Sequence, residues 1–144
     1  MPINYTQLAT EITTDPKVLG FAALVAVGND AAIAAALNLV RVGVDYQINR
    51  LPVPAYEIFE QIVPSEWAAL TAAEKQRIQT LLSMGTVDPR GTNTRQAFQD
   101  AFGVGTTTRA NLIAYLKRQA SRAEVLFGDG VRITYTDVAK ALRP

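Results

Sequence analysis

The chain contains neither cysteine nor histidine. Without cysteine there can be no disulfide, thiolate metal site or thiol nucleophile. Without histidine the chain lacks the commonest general base and the commonest transition-metal ligand. Together these two absences predict a protein that is not an enzyme and that holds no metal ion or cofactor.

The sequence indicates neither a signal peptide nor a membrane-spanning segment. No apolar stretch reaches the roughly 18 residues expected of a membrane-spanning helix. The first residues do not combine a basic and apolar run with a small-residue cleavage site. We therefore expect synthesis in the cytoplasm and no contact with a membrane.

Length and composition indicate one globular domain. The chain has 144 residues, of which 49% are hydrophobic and 19% charged. A chain of this length removes roughly two thirds of its unfolded surface from water on folding. We expect a single helical domain over residues 1–144 with one shared core.

Charge is distributed unevenly along the chain. Residues 1–72 hold three Lys or Arg and seven Asp or Glu, whereas residues 73–144 hold eleven and six. The two halves therefore carry net charges of −4 and +5. Such a difference favours association between copies or an acidic partner, or it serves only solubility.

Apolar spacing and capping residues predict a mainly α fold. The best-signalled helix starts at Thr71, which forms a capping box with Glu74, and stops before Gly85. The predicted helices cover about residues 5–13 after Asn4, 16–28 after Asp15, 29–40, 54–63, 71–84, 93–102 and 107–127, with short helical turns after Ser65 and Thr136. We expect a compact multi-helix domain of about six to seven helices.

Two short stretches have the alternating pattern of a strand. Valines alternate with polar residues or glycine over residues 42–48, and β-branched residues are frequent over 131–135. Any β structure is therefore predicted to be minor and to lie at these two places. The stretch 41–54 is interpreted as a short strand or an extended arm.

Candidate catalytic groups are few. A Ser-Lys pair would have to use Ser65, Ser83 or Ser121, of which the first is interpreted as a helix cap and the others as helical. Glu57 and Glu60 lie three apart on a predicted helix, but a bundle-type metal site would also need histidine. An exposed acidic face is the better interpretation of these two residues.

The loop from Gly103 to Arg109 resembles a phosphate-binding loop in part. Glycines followed by hydroxyl residues at a helix start can present backbone N–H groups to an anion. The Gly-Lys-Ser/Thr ending is missing, and the element before the loop is a helix and not a strand. A helix stop joined to a threonine cap is favoured, and a helix-turn-helix DNA reader is kept as an alternative.

Several side chains are candidates for an interface. Trp67 is interpreted as a core residue, with an interface anchor as the alternative. The basic residues Arg109, Lys117, Arg118 and Arg122 indicate either a solvated helix face or a surface for nucleic acid. The interface candidates are Phe21, Leu24, Tyr46, Glu57, Glu60, Arg109, Arg118 and Arg122.

Seven short fragments, spread in order along most of the chain, together carry a resemblance to a known family. The fragments are Glu11-Ile12-Thr13-Thr14-Asp15-Pro16, Ala36-Leu37-Asn38, Trp67-Ala68-Ala69-Leu70-Thr71, Leu82-Ser83-Met84-Gly85-Thr86-Val87-Asp88-Pro89, Gly105-Thr106-Thr107-Thr108-Arg109-Ala110-Asn111-Leu112, Ser121-Arg122-Ala123-Glu124 and Asp137-Val138-Ala139-Lys140-Ala141-Leu142. Through them the chain resembles a family of small virion proteins of tailed bacteriophages, encoded among the structural genes. The resemblance implies a structural role at the neck, the tail or near the fibres, and no catalytic residue.

The functional expectation is a structural subunit of a tailed phage particle, in the head-to-tail connector or tail region. Its expected partners are copies of itself and neighbouring virion proteins, with no small-molecule substrate. A ring is expected in which the acidic half of one copy meets the basic half of the next. The alternative is a small helical module that binds DNA or a regulator.

Overall fold

The computed structural model describes residues 2–144 and is mainly helical, which confirms the predicted fold class. Its α-helices are Tyr5–Thr14 (α1), Phe21–Ala26 (α2), Asp30–Asn38 (α3), Ala55–Phe59 (α4), Pro64–Ala68 (α5), Ala72–Leu82 (α6), Thr92–Ala101 (α7), Thr107–Leu116 (α8), Arg122–Phe127 (α9) and Tyr135–Leu142 (α10). Its strands are Gln47–Asn49 (β1), Val53–Pro54 (β2), Thr86–Val87 (β3) and Lys117–Gln119 (β4). Over these residues, no helix is long and apolar enough to cross a membrane.

The described chain forms two compact units. Unit 1 contains residues 2–48 together with Gln119–Pro144, and unit 2 contains Asn49–Arg118. The chain leaves unit 1 within β1 and returns to it within β4. Each unit has its own cluster of buried apolar side chains, so the expectation of one shared core is wrong. A single domain over residues 1–144 stays a prediction.

The core of unit 1 is built by helices from both ends of the chain. Helix α10 packs against α1 and α3, and α9 packs against α3. The Tyr5 hydroxyl donates a hydrogen bond to Asp137, 132 positions away in sequence. The largest fully buried apolar side chains of this core are Leu8, Ile12, Phe21, Ile33, Leu37 and Val138.

Asp15 ends α1, and its side chain binds the backbone that leads into α2. Its backbone has a left-handed φ of 44°, and its N–H donates to the Glu11 carbonyl. Its carboxylate accepts the N–H groups of Leu19, Gly20 and Phe21 at 2.7–3.1 Å. Burial opposes ionisation, but these three donors outweigh it and hold the pKa of Asp15 below its usual value. The prediction that a helix starts at Pro16 is therefore wrong.

Unit 2 surrounds a second core beside α6 and α7, which pack against each other. Strands β2 and β3 pair antiparallel, with Val53 opposite Val87. Trp67 is half-buried and packs against this core, as its interpretation as a core residue requires. The buried apolar side chains of this core are Val53, Ala55, Ile58, Ile78, Val87, Ala97, Phe98, Phe102 and Leu112.

The predicted capping box at the start of α6 is confirmed. The Thr71 hydroxyl accepts the Glu74 N–H at 3.2 Å, and the Glu74 carboxylate accepts the Thr71 N–H at 2.9 Å. Beyond the helix, Gly85 has a φ of +81°, a conformation that glycine adopts without a steric penalty. This helix start could be predicted from the sequence alone, because the contacts that form the capping box lie within four residues.

The predicted long helix over 107–127 is wrong. Helix α8 ends at Leu116, β4 follows, and Ser121 starts α9 through a second capping box with Glu124. Apolar residues keep a helical spacing across this break, so periodicity alone joined two helices into one. The described residues contain ten helices, six of which have seven or more residues, against the six to seven predicted. The excess comes from this break and from the two predicted helical turns, which are the helices α5 and α10.

Both predicted β regions need correction. Over 131–135 there is no strand, because the Asn38 side chain takes the place of a strand neighbour: it accepts the Ile133 N–H at 2.8 Å and donates to the Ile133 carbonyl at 2.7 Å. Helix α10 is then capped by Thr134 and not by Thr136. Over 42–48, Val44–Tyr46 form a 3-10 turn and only Gln47–Asn49 is a strand.

Candidate interaction surfaces

Two of the predicted interface residues belong to the core of unit 1. Phe21 is completely buried, and Leu24 is half-buried against the same cluster. Phe21 therefore offers no surface to a partner. The apolar character of 18–27 reflects this burial in part, although Val18 and Val27 are 86% and 75% exposed.

Arg122 forms an ion pair inside unit 1. Its Nε and Nη2 donate to the two carboxylate oxygens of Glu11 at 2.6 and 3.0 Å. The side chains are only 11% and 6% exposed. The hydrogen bonds to Glu11 outweigh burial and raise the pKa of Arg122. The pair joins α1 to α9 and leaves little of Arg122 for a partner.

Tyr46 is half-buried and held in place from two sides. Its backbone carbonyl accepts the Ala120 N–H at 2.7 Å. The guanidinium carbon of Arg41 lies 6.0 Å from the centre of its ring. The position of Tyr46 is therefore explained by contacts within unit 1.

Glu57 accepts hydrogen bonds from two tyrosine hydroxyls. Tyr115 donates to Oε2, and Tyr56 donates to Oε1 at 3.3 Å. The guanidinium carbon of Arg50 lies 4.7 Å from the Tyr115 ring centre. Burial, followed by the bond to Glu57, raises the pKa of Tyr115. Glu57 thus holds α4 against α8.

Glu60, Arg109 and Arg118 lie in unit 2 and differ in their surroundings. Glu60 is exposed at the C-terminal end of α4, and its side chain makes no hydrogen bond or ion pair with the described residues. Arg109 is half-buried on α8 and is likewise without an interaction partner. Arg118 is half-buried and takes part in an interaction within the described chain. Glu60 and Arg109 are therefore the members of the predicted set whose charges are available.

The charge difference between the two halves of the chain does not correspond to two bodies in space. Unit 1 takes residues 119–144 from the basic half, and unit 2 takes residues 49–72 from the acidic half. Unit 1 has six Lys or Arg against seven Asp or Glu, and unit 2 has eight against six. The net charges are therefore −1 for unit 1 and +2 for unit 2, compared with −4 and +5 for the two halves of the chain. Any contact between copies must therefore depend on particular faces.

The loop that resembles a phosphate cradle already holds an anionic group from the chain. The Glu66 carboxylate accepts the backbone N–H groups of Thr107 and Thr108 at 2.9 and 2.7 Å. The Thr106 hydroxyl accepts the Arg109 N–H, which is the predicted threonine cap. The Thr108 hydroxyl and these N–H groups hold the pKa of Glu66 below its usual value. The N–H groups that would bind a phosphate are thus occupied.

An open groove of about 430 Å³ lies between α6 and α7. Its charged lining residue, Arg77, pairs with Asp100 at 2.8 Å. Over residues 2–144, no three Asp or Glu side chains come close enough to hold a metal ion. The groove therefore brings together no set of charged groups suited to chemistry.

Exposed apolar side chains lie in the segment that runs from the end of α3 to the first residue of the 3-10 turn. Leu39, Val40, Val42 and Val44, which we call the valine segment, are 55%, 57%, 89% and 84% exposed. Single exposed apolar residues are ordinary, but four within six positions indicate an interaction site. The sequence pattern predicts a strand or an arm over 41–54, with Tyr46 as its interface residue. It does not predict the exposed valines, because alternation alone does not show which side faces solvent.

The valine segment is held in a defined position. The Arg41 N–H donates to the Ala120 carbonyl at 3.2 Å, and the Gly43 N–H donates to the Gln119 side chain at 3.1 Å. Val40 also forms an isolated antiparallel bridge with Ser121. Because the backbone is fixed, its apolar side chains need little ordering when a partner binds.

No family model, curated protein or solved structure matches this chain.

Proposed function

We propose that this chain is a structural subunit of a tailed bacteriophage particle, in the head-to-tail connector or tail region. It acts by packing, in a ring-like assembly, against copies of itself and neighbouring virion proteins. The resemblance of its sequence fragments to small virion proteins of tailed bacteriophages supports the assignment to such a particle. The observation that carries the packing role is the exposure of the valine segment.

Apolar burial at the valine segment contributes more to association than surface ion pairs do. Burying an exposed valine or leucine side chain contributes about 1.5–3 kcal/mol, whereas a surface ion pair contributes about 0–1 kcal/mol. Four such side chains on a fixed backbone therefore give one site enough favourable energy to offset part of the cost of association. Protein packing uses this surface without any catalytic group.

The alternative is a small helical module that binds DNA or a regulator. It would use cations such as Arg109 and Lys117, and its affinity for nucleic acid would fall steeply as salt is raised. Packing through valines would change much less with salt, because screening acts on charges and not on apolar burial. Binding at two salt concentrations therefore separates the two functions.

The direct test combines particle composition with a matched pair of variants. Mass spectrometry of purified particles should find the chain as a stable component. Light scattering of the purified protein should show an assembly that V42D+V44D disrupts. V104D is the control, because Val104 is 90% exposed but stands alone on a loop. A monomeric protein that is absent from particles and binds DNA in low salt would replace this function with the alternative.

A further inference from the structure

We propose that unit 2 carries two unlike faces through which copies of this chain contact one another head to tail. The aromatic face consists of Tyr56 and Phe59 on α4 and of Glu60, the residue that follows the helix. The basic face consists of Arg109 and Ile113 on α8 with Lys117 at the start of β4. This inference rests on the proposed function in one respect, namely that copies of the chain meet in an assembly.

The aromatic face is exposed although it is built from large rings. Tyr56 and Phe59 are 70% and 63% exposed, whereas Ala55 and Ile58 of the same helix are buried. Residues three apart lie on one side of a helix, so the two rings form one surface. The bond from Tyr56 to Glu57 restrains one ring. Rings presented in this way are typical anchors of protein interfaces.

Glu60 differs from the other carboxylates of unit 2. Each of the others accepts a hydrogen bond or forms an ion pair within the unit, and these are Glu57, Glu66, Glu74, Asp88 and Asp100. The Glu60 side chain has no such contact within the described chain. The aromatic face therefore presents one available negative charge beside two aromatic rings.

The basic face has the complementary character. Ile113 is 50% exposed, and Arg109 and Lys117 lie four positions before and after it. Residues four apart share a helix side, so Arg109 lies beside Ile113, and Lys117 continues the row where the helix ends. The side chains of Arg109 and Lys117 make no interaction within the described chain. The face thus offers an aliphatic centre between two available positive charges.

The two faces lie on different sides of unit 2. Thr108, Asn111 and Tyr115 turn toward α4 and the segment after it, where they bond to Val63, Gln61 and Glu57. Ile113 is two positions from both Asn111 and Tyr115, which is about 200° around a helix. Ile113 therefore points away from α4. One copy cannot bring its own two faces together, but two copies can.

Charge and side-chain chemistry both favour this pairing. The Glu60 carboxylate attracts the Arg109 guanidinium or the Lys117 ammonium, and the aromatic rings accept a cation or the Ile113 side chain. The contact joins unlike surfaces and leaves one free face on each copy. Repetition therefore gives a ring if the rotation closes and a filament if it does not.

Charge reversal in the full chain tests the pairing. E60R and R109E should each weaken self-association at least about tenfold in sedimentation at low salt, because each places like charges in contact. Mixing the two variants should restore association, since each then meets the opposite charge at both faces. The double variant E60R+R109E should also associate. R95E is the matched control, because Arg95 is exposed on α7 without an interaction partner and outside both faces.

The outcomes separate this inference from the proposed function. If the wild-type chain associates and V42D+V44D disrupts it while E60R and R109E associate normally, the inference is overturned and the proposed function stands. Weakening by both reversals without restoration in the mixture also overturns it. A wild-type chain that is monomeric at every concentration and salt overturns the inference, and the proposed function falls only if the chain is also absent from purified particles.

Discussion

The Glu11–Arg122 pair provides a quantitative test of how unit 1 is held together. Both side chains are almost completely buried and share two hydrogen bonds. Removing one partner of a buried pair typically costs about 3–5 kcal/mol, because the remaining charge stays buried without compensation. For E11A we expect the lower end, since Asp45 also acts on Arg122.

The assay is urea unfolding followed by circular dichroism. With an m value of about 2 kcal/mol/M, a loss of about 3 kcal/mol lowers the urea midpoint by about 1.5 M. The double variant E11L+R122M should recover most of this loss, because it leaves no buried charge. R77Q is the control, since Arg77 and Asp100 are 49% and 47% exposed. A shift for E11A no larger than that for R77Q would refute the reasoning.

Three further outcomes are expected. T71A should lower the free energy of unfolding by about 1 kcal/mol in urea titration, because it removes the cap of α6; an unchanged midpoint would contradict this. The free energy of unfolding should fall as pH drops from about 5 toward 2. Asp15, Glu66 and Asp88, the last with a pKa of about 2, have lower pKa values in the folded than in the unfolded state, and the stability that this difference provides is lost as they are protonated. A urea midpoint that stays constant over this range would contradict the prediction. Chelation with EDTA should leave the melting temperature unchanged, and a shift of several degrees would reveal an oxygen-ligand Mg²⁺ or Ca²⁺ site.

Helix starts were predictable where the signal is local. Asn4, Asn29 and Thr71 each accept an N–H three positions onward, as their spacing predicts. The Ser121–Glu124 pair carries the same signal, but the apolar periodicity that runs through it predicts one continuous helix. A capping box inside a long periodic stretch should therefore be interpreted as a break.

The candidate site was only partly predictable. Glu60 is exposed and Arg109 half-buried, and neither side chain has a partner in the described chain, whereas Phe21 and Arg122 are buried by contacts with distant segments. Whether Glu60 and Arg109 form an interface stays a prediction. Sequence supplies the residue type but not the exposed fraction of its side chain. For the same reason the exposure of the valine segment could not be predicted, because its alternation of apolar and polar residues is equally typical of a half-buried strand.

The sequence alone determines that the fold is mainly helical and that thiol and imidazole chemistry are absent. It also determines the N-caps of several helices, because these depend only on residue types and on spacings of three or four positions. The grouping of 119–144 with 2–48 in unit 1 does not follow from such local features. It depends on α10 packing against α1 and on Asn38 bonding to Ile133, contacts across about a hundred positions or more. Such contacts are chosen by which apolar faces fit together after the intervening chain has folded, and no local pattern carries that information.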